Sequence, residues 1–397
     1  MNLYSNKIHT PMGVISGYLT IEEGKIIAIG KDKPQGDYKD YGDLNIIPGF
    51  IDLHVHGFST GSFWYEKTED SLKRMSESMI QAGVTTFLGT TGTDALESIK
   101  DSLKEAKLAV KNWNSSWGSR ILGVHLEGPF INKEFKGMQK EENCINPDLL
   151  IMDELLEAAG EENVYLMTMA PELPGSKEVI TYLNKKGIQI SIGHSAAELD
   201  EIRNLKDFGL GGVTHMYSGM RGFHHRRPGV VGAALYFDDL YCEFAKQTGM
   251  TVSHEAFKIA YKVKGKNKIM LCTDCTGLAH VKEPFHHYIR KETYIPDGDY
   301  VVIKSDDCSE RRINRKNFDD VNSLEMSYLE SVQAIQREHG LSMDEIITMS
   351  SINPAKYIGV FDKVGSIEEG KLADLLIVDD HFSIKDVYME GKLHSIH

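Results

Sequence analysis

Apolar and polar positions divide the chain into two β-rich ends and a middle of different character. Near the N-terminus, Val14–Ile21 and Ile26–Ile29 flank Glu22-Glu23-Gly24-Lys25, a hairpin signal. Near the C-terminus, Gly365-Ser366-Ile367, Leu375–Val378 and a short run around Val387-Tyr388-Met389 have the same strand-like look. The two ends are expected to build one small β-sandwich domain together, from residues 1–48 and 356–397. The middle, 49–355, alternates apolar runs with helix-like stretches, which predicts a parallel α/β sheet. Eight runs qualify as strands: Phe50–Val55, Val84–Gly89, Ile121–Leu126, Val164–Met169, Ile188–Ile192, Gly212–Thr214, Tyr241–Ala245 and Ile269–Thr273. Between them, 71–81 and 96–110 place apolar residues at helical spacing. Further helices are expected at 323–338 and 343–350. Eight strands with intervening helices fit a (β/α)₈ barrel. A doubly wound open sheet is the alternative, but no G-x-G-x-x-G follows the first strand. Segment 280–322 breaks the rhythm. It reads as a hairpin-containing excursion, more a solvated loop than a binding element.

Length changes the picture little: 397 residues suffice for one large domain with a small companion. The net charge of −14 argues against nucleic acid or an anionic membrane surface as the main partner. It leaves room for a small anionic substrate held in a local basic pocket. No apolar run approaches the roughly 18 residues of a membrane span, and the first residues lack a signal-peptide layout. The five scattered cysteines read as reduced thiols, which places the chain in the cytoplasm. Cys272 and Cys275 form a solitary C-x-x-C, open to a redox or zinc reading.

The chemistry gathers at strand ends. His54 and His56, at i and i+2 of the first strand, point to one side. Glu127 ends the third strand, His194 follows the fifth, His215 the sixth and Asp274 the eighth. Barrel active sites are built at such ends. Imidazoles with carboxylates and no thiolate suit Zn, Fe, Mn or Co. A metal in such a set activates water, and Asp274 can carry a proton from that water to a leaving amine. The parts describe hydrolysis of a carbonyl bond, with ligands enough for one or two ions.

Pro48-Gly49-Phe50-Ile51-Asp52-Leu53-His54-Val55-His56-Gly57 resembles the amidohydrolase superfamily. His125-Leu126-Glu127-Gly128-Pro129, Gly193-His194-Ser195, Thr214-His215-Met216 and Thr273-Asp274 resemble its N-acetylglucosamine-6-phosphate deacetylase branch, as do Asn353-Pro354-Ala355 and Gly370-Lys371-Leu372-Ala373-Asp374. The resemblance implies a homodimer that removes acetyl from an amino-sugar phosphate. It implies that Glu127, His194 and His215 hold the principal metal, that His54 and His56 add a second site, and that Asp274 is the acid/base. It implies that Arg226 binds phosphate across the dimer interface, and that Gln139, Ser218, Gly219 and Thr251 face the substrate. Ser218-Gly219 stands where the branch has Asn-Ala, and Thr251 where it has a histidine. Hydrolysis is therefore a firmer expectation than the particular sugar. Another epimer such as N-acetylgalactosamine 6-phosphate, another acyl group, a cyclic amide or an inactive binding paralogue stay open. Phosphoryl transfer is weaker, since no phosphate-cradling glycine loop is present.

Overall fold

A computed structural model describes residues 1–245, 251–287 and 290–396. The eight apolar runs are the eight strands of one sheet: Phe50–Val55, Val84–Thr91, Arg120–Glu127, Val164–Met169, Gln189–Ile192, Leu210–Val213, Tyr241–Ala245 and Ile269–Cys272. They lie side by side in sequence order, and every neighbouring pair is parallel. Nearly all their residues are buried, because helices cover the outside and side chains fill the inside. The first long helix, Glu69–Met79, starts at a Thr68 capping box and turns Leu72, Met75 and Met79 into the core. Each such burial stabilises by about 1.5–3 kcal/mol. The second helix, Leu96–Asn112, buries Ile99, Leu103 and Ala106 in the same way.

Among the described residues, no ladder joins the first strand to the eighth. Side chains and single bonds close the seam instead. The Asp274 amide donates to the His54 carbonyl at 2.8 Å. The buried Asp52 carboxylate accepts from the His54 amide (3.1 Å), the Thr273 amide (3.3 Å) and the Thr273 hydroxyl (2.7 Å). Burial pushes that carboxyl up to about 7 against these hydrogen bonds. The Tyr328 hydroxyl donates to the Leu271 carbonyl (3.0 Å) and lies 3.4 Å from the Ile51 carbonyl. The seam thus sets the first and eighth strands in register just beneath His54, His56 and Asp274.

The chain ends meet in a separate sheet. Asn45–Pro48 pairs antiparallel with Leu375–Val378 and parallel with Asn2–Thr10, and the hairpin Gly13–Glu22 and Lys25–Lys31 extends it. Leu3, Ile8, Leu19, Ile46, Leu375 and Ile377 are in its core.

Two expectations need correction. Segment 280–322 is not a solvated loop. Its strands Phe285–His287, Glu292–Asp297, Tyr300–Ser305 and Glu310–Asn314 form an antiparallel sheet. Tyr294, Val301 and Ile303 pack there on Leu278 and Val281 beside the barrel mouth. Its strands are short and polar on the outer face, so the inward positions were too few to read. The helix expected from 323 begins at Tyr328, because Ser327 and Glu330 form a capping box and Glu325 is engaged elsewhere. No helix among the described residues is long and apolar enough to cross a membrane.

Replacing Asp52 with Ala strands three buried donors. We expect a loss of about 2–4 kcal/mol in chemical denaturation; a loss below about 1 kcal/mol would remove Asp52 from its role in the seam.

Candidate metal centre

The strand ends bring His54, His56, Glu127, His194, His215 and Asp274 together. His194, His215 and Asp274 all turn left-handed just after their strands, with φ of 47°, 31° and 47°. These costly conformations fold each side chain over the mouth. Gly57 lets the loop after His56 lie against the eighth-strand loop, since a Cβ there would sit 2.5 Å from the Thr276 carbonyl oxygen. Gly219, at φ +55°, leaves room for the His194 ring, 3.0 Å from where its Cβ would stand.

All four imidazoles are held the same way. Nδ1 of His54 faces Glu243 Oε1 (2.9 Å), that of His56 the Thr90 carbonyl (3.1 Å), that of His194 the Phe135 carbonyl (2.8 Å) and that of His215 the Ser218 carbonyl (3.1 Å). Each acceptor demands a proton on Nδ1 and leaves Nε2 as a lone pair. The four Nε2 atoms then point inward and crowd. His54 and His56 are 3.3 Å apart at these atoms, and His194 and His215 are 3.1 Å apart. Glu127 lies between the pairs. Its Oε1 is 3.1 Å from Nε2 of both His194 and His215, and its Oε2 is 3.2 Å from Nε2 of His56. Asp274 Oδ1 is 3.6 Å from Nε2 of both His54 and His56. Two ligand groups result, Glu127–His194–His215 and His54–His56–Asp274, with Glu127 shared between them.

The electrostatics point to a cation. Burial opposes ionisation of Glu127, but His54 and His194 beside it hold its carboxyl well below the usual range. Burial opposes charge on His54 too, yet Glu243, Asp274 and Glu127 raise its pKa well above the ordinary value. Carboxylates that favour positive charge on neighbouring imidazoles favour a divalent ion equally. The donor set fits a metal.

Below the ligands lies a polar layer. His125, in the same strand as Glu127, is not a ligand. Its Nε2 meets the Thr168 hydroxyl (2.8 Å) and its Nδ1 the Leu53 carbonyl (3.0 Å). Glu243, absent from the sequence reading, holds His54 and also accepts from the His215 amide at 3.0 Å. Its signal was a lone carboxylate inside the apolar strand Tyr241–Ala245. Cys272 joins His54 and Glu243 in a third buried group, and no disulfide involves any of the five cysteines.

Above the ligands opens a cavity of about 370 Å³, in the range of small-molecule sites. Gln139, Ser218, Gly219, Thr251 and Asp274 line it. Gln139 is spoken for: its amide donates to Glu127 Oε2 (2.8 Å) and its oxygen accepts from the Thr93 amide (2.8 Å). It braces the ligand rather than presenting an open amide to substrate. Arg226 does not reach its own cavity; it is exposed on a loop where its amide donates to His224 Nδ1 (3.3 Å). His287 and Arg290, from the added sheet, do line it. Thr248, Gly249 and Met250, in the run before Thr251, lie outside the described residues.

With this geometry, the comparison with known proteins is direct. The model of the amidohydrolase family matches residues 45–394. The chain belongs to the amidohydrolase family. It is a hydrolytic enzyme of that metal-dependent family. An N-acetylglucosamine-6-phosphate deacetylase of Vibrio furnissii is 30% identical over 376 residues, 94% of this chain and 89% of its own. An N-acetylgalactosamine-6-phosphate deacetylase of Escherichia coli O157:H7 is 28% identical, covering 88% of each chain. The crystal structure of N-acetylglucosamine-6-phosphate deacetylase from Pasteurella multocida superposes with a TM-score of 0.83 at 27% identity, covering 100% of both chains. Barrel and terminal sheet therefore belong to one amidohydrolase architecture.

Glu243 makes a distinct prediction. Its replacement by Gln or Ala is expected to weaken metal binding by about 10–100-fold, read by elemental analysis after chelator competition. Unchanged metal retention in both variants would show that the His54 contact does not orient a ligand.

Proposed function

We propose that this amidohydrolase removes acetate from N-acetylglucosamine 6-phosphate to leave glucosamine 6-phosphate. The observation that carries the reading is the convergence of four Nε2 atoms on Glu127, with Asp274 at the edge of a cavity sized for a sugar phosphate. Identity near 30% with deacetylases along almost the whole chain supports the substrate class. In this reading Glu127, His194 and His215 hold one ion. His54 and His56, with Glu127 and Asp274, hold a second. Zn, Fe, Mn and Co all suit the donors. Bound metal supplies Lewis acidity, lowering the pKa of water towards about 7 and polarising the acetyl carbonyl.

The chain's own residues do the rest. The Asp274 carboxylate takes a proton as the water oxygen bonds to the carbonyl carbon. It returns that proton to the nitrogen as the C–N bond breaks, so the amine leaves neutral; the other water proton stays on the new carboxyl group, which then releases it to solvent or the amine to become acetate. Glu243, Thr90, Phe135 and Ser218 keep the four rings oriented while this happens. Gln139 steadies Glu127. Ser218, Gly219 and Thr251 shape the sugar end. Their departures favour one second reading, the galacto epimer, because such contacts discriminate hydroxyl positions strongly.

The enzyme is proposed to work in the cytoplasm as a homodimer, in which Arg226 would reach substrate only from a second copy. The barrel is proposed to span 49–355, with 1–48 and 356–397 making the small domain.

An acetate-release assay on the gluco and galacto 6-phosphates tests the reading, and release from neither would overturn it. Asp274→Asn is expected to lower kcat by about 10²–10⁴-fold while the ion on Glu127, His194 and His215 remains. Wild-type turnover in that variant would reassign the acid/base. Replacing both His54 and His56 with Ala is expected to reduce bound metal from two ions to one, measured by elemental analysis. Undiminished stoichiometry would disprove a site on that pair.

A further inference from the structure

We propose that Arg290, with His287 beside it, receives the phosphate of the substrate inside this chain's own cavity. The inference rests on the amino-sugar phosphate reading above. It starts from a charge mismatch. Glu127, Asp274 and Glu325 all line the cavity, so a phosphate dianion needs a positive partner placed away from them. The histidines at the metal end are committed to ligation. Among the described lining residues, Arg290 is the one side chain with a permanent positive charge.

Its neighbours leave Arg290 available. Glu325 does not draw it in, because that carboxylate accepts from the amides of Thr276 (2.8 Å), Gly277 (2.7 Å) and Leu278 (3.0 Å). The other arginines of the added sheet are used: Arg311 pairs with Glu292 (2.9 Å), Arg312 with Asp297 (2.7 Å), and Arg315 donates to the Val281 carbonyl (3.2 Å). Among the described residues Arg290 makes no ion pair.

The turn that carries it is tied down on its described sides. The Arg290 amide donates to His287 Nδ1 (3.3 Å), the Lys291 amide to the His287 carbonyl (2.8 Å) and the Asp306 amide to the Lys291 carbonyl (3.0 Å). The sheet behind is fixed by buried Tyr294, Val301 and Ile303. A guanidinium carried on such a backbone can offer its planar fork to two phosphate oxygens at once, with stronger hydrogen bonds than neutral donors give. The residue at the corresponding edge of the seventh-strand loop is Thr251, which carries no charge, and Arg226 lies outside the cavity. The added sheet thereby gains a function: it brings a cation to a site whose other described walls in this chain carry none.

The test uses metal-loaded wild-type, R290M, R290K and R226A proteins on N-acetylglucosamine 6-phosphate and on N-acetylglucosamine, with inorganic phosphate as competitor. R290M is expected to raise KM for the phosphate ester by about 10–100-fold and to leave kcat/KM for the neutral sugar within about twofold. Phosphate should compete with substrate in wild type and not in R290M, and R290K should recover only part of the loss. The proposal is overturned if R290M handles the phosphate ester like wild type, if it loses equally on both sugars, or if only R226A loses phosphate discrimination. Wild type that releases acetate from neither sugar, nor from N-acetylgalactosamine 6-phosphate, would instead defeat the deacetylase reading, which the R290M comparison leaves separate.

Discussion

Four imidazole Nε2 atoms crowd in two pairs around the Glu127 carboxylate, and the rest of the structure is arranged to hold them there. With Nδ1 of each ring turned to an acceptor behind it, the Nε2 atoms face each other at 3.1 and 3.3 Å. Only a cation relieves that arrangement. The acceptors behind the rings come from four different places: the seventh strand (Glu243), the second (Thr90), the loop after the third (Phe135) and the loop after the sixth (Ser218). Orientation is thus distributed around the barrel. No single element can shift without turning a ring.

The same demand explains the polar interior below. A barrel of this size is usually filled by branched apolar side chains. Here Asp52, Thr90, His125, Thr168, Thr214 and Thr273 are buried close to the ligands. Each has a partner, as with the 2.7 Å contact between the Thr168 and Thr214 hydroxyls. Asp52 connects this layer to the seam, since its carboxylate bonds the backbone of both His54 and Thr273. Closing the barrel and placing the ligands are one construction. Unpaired, these groups would each cost about 1–3 kcal/mol, so the layer has to be satisfied as a whole.

Much of this was legible in the sequence, for a physical reason. A strand buried on both faces is a short apolar run, and all eight runs became strands. A candidate ligand at such a strand's end stands out as a polar residue at an apolar boundary, as His54, His56, Glu127, His194, His215 and Asp274 do, and these six lie together at the barrel mouth. What escaped notice depends on contacts between distant parts. Glu243 looks like an anomaly in Tyr241–Ala245 until its partner, 189 positions earlier, is beside it. The pairing of Asn45–Pro48 with Leu375–Val378 was expressed only as two β-rich ends. Gln139 appeared ready for substrate, yet its amide is occupied by Glu127 and Thr93. Segment 280–322 hid its core because Tyr294, Val301 and Ile303 are spread through a charged stretch.

The metal ligands keep the resembled pattern while the sugar end departs from it, and the two ends are constrained differently. A candidate ligand sits at a strand terminus, and each imidazole is fixed by an acceptor on another strand or on a loop. Changing it leaves an unpaired buried group as well as a lost ion. Ser218 and Thr251 lie on loops at the cavity wall, where a side-chain substitution alters a contact without disturbing the barrel, whereas Gly219 also makes room for the His194 ring. Charge on that wall can be supplied from any element that reaches it. A sheet inserted after the eighth strand reaches it by packing its own core against the barrel rim, so its cationic corner is positioned without help from the metal-bearing strands. Substrate preference in this architecture can therefore change by altering the added sheet and the loops, while the hydrolytic centre stays as it is.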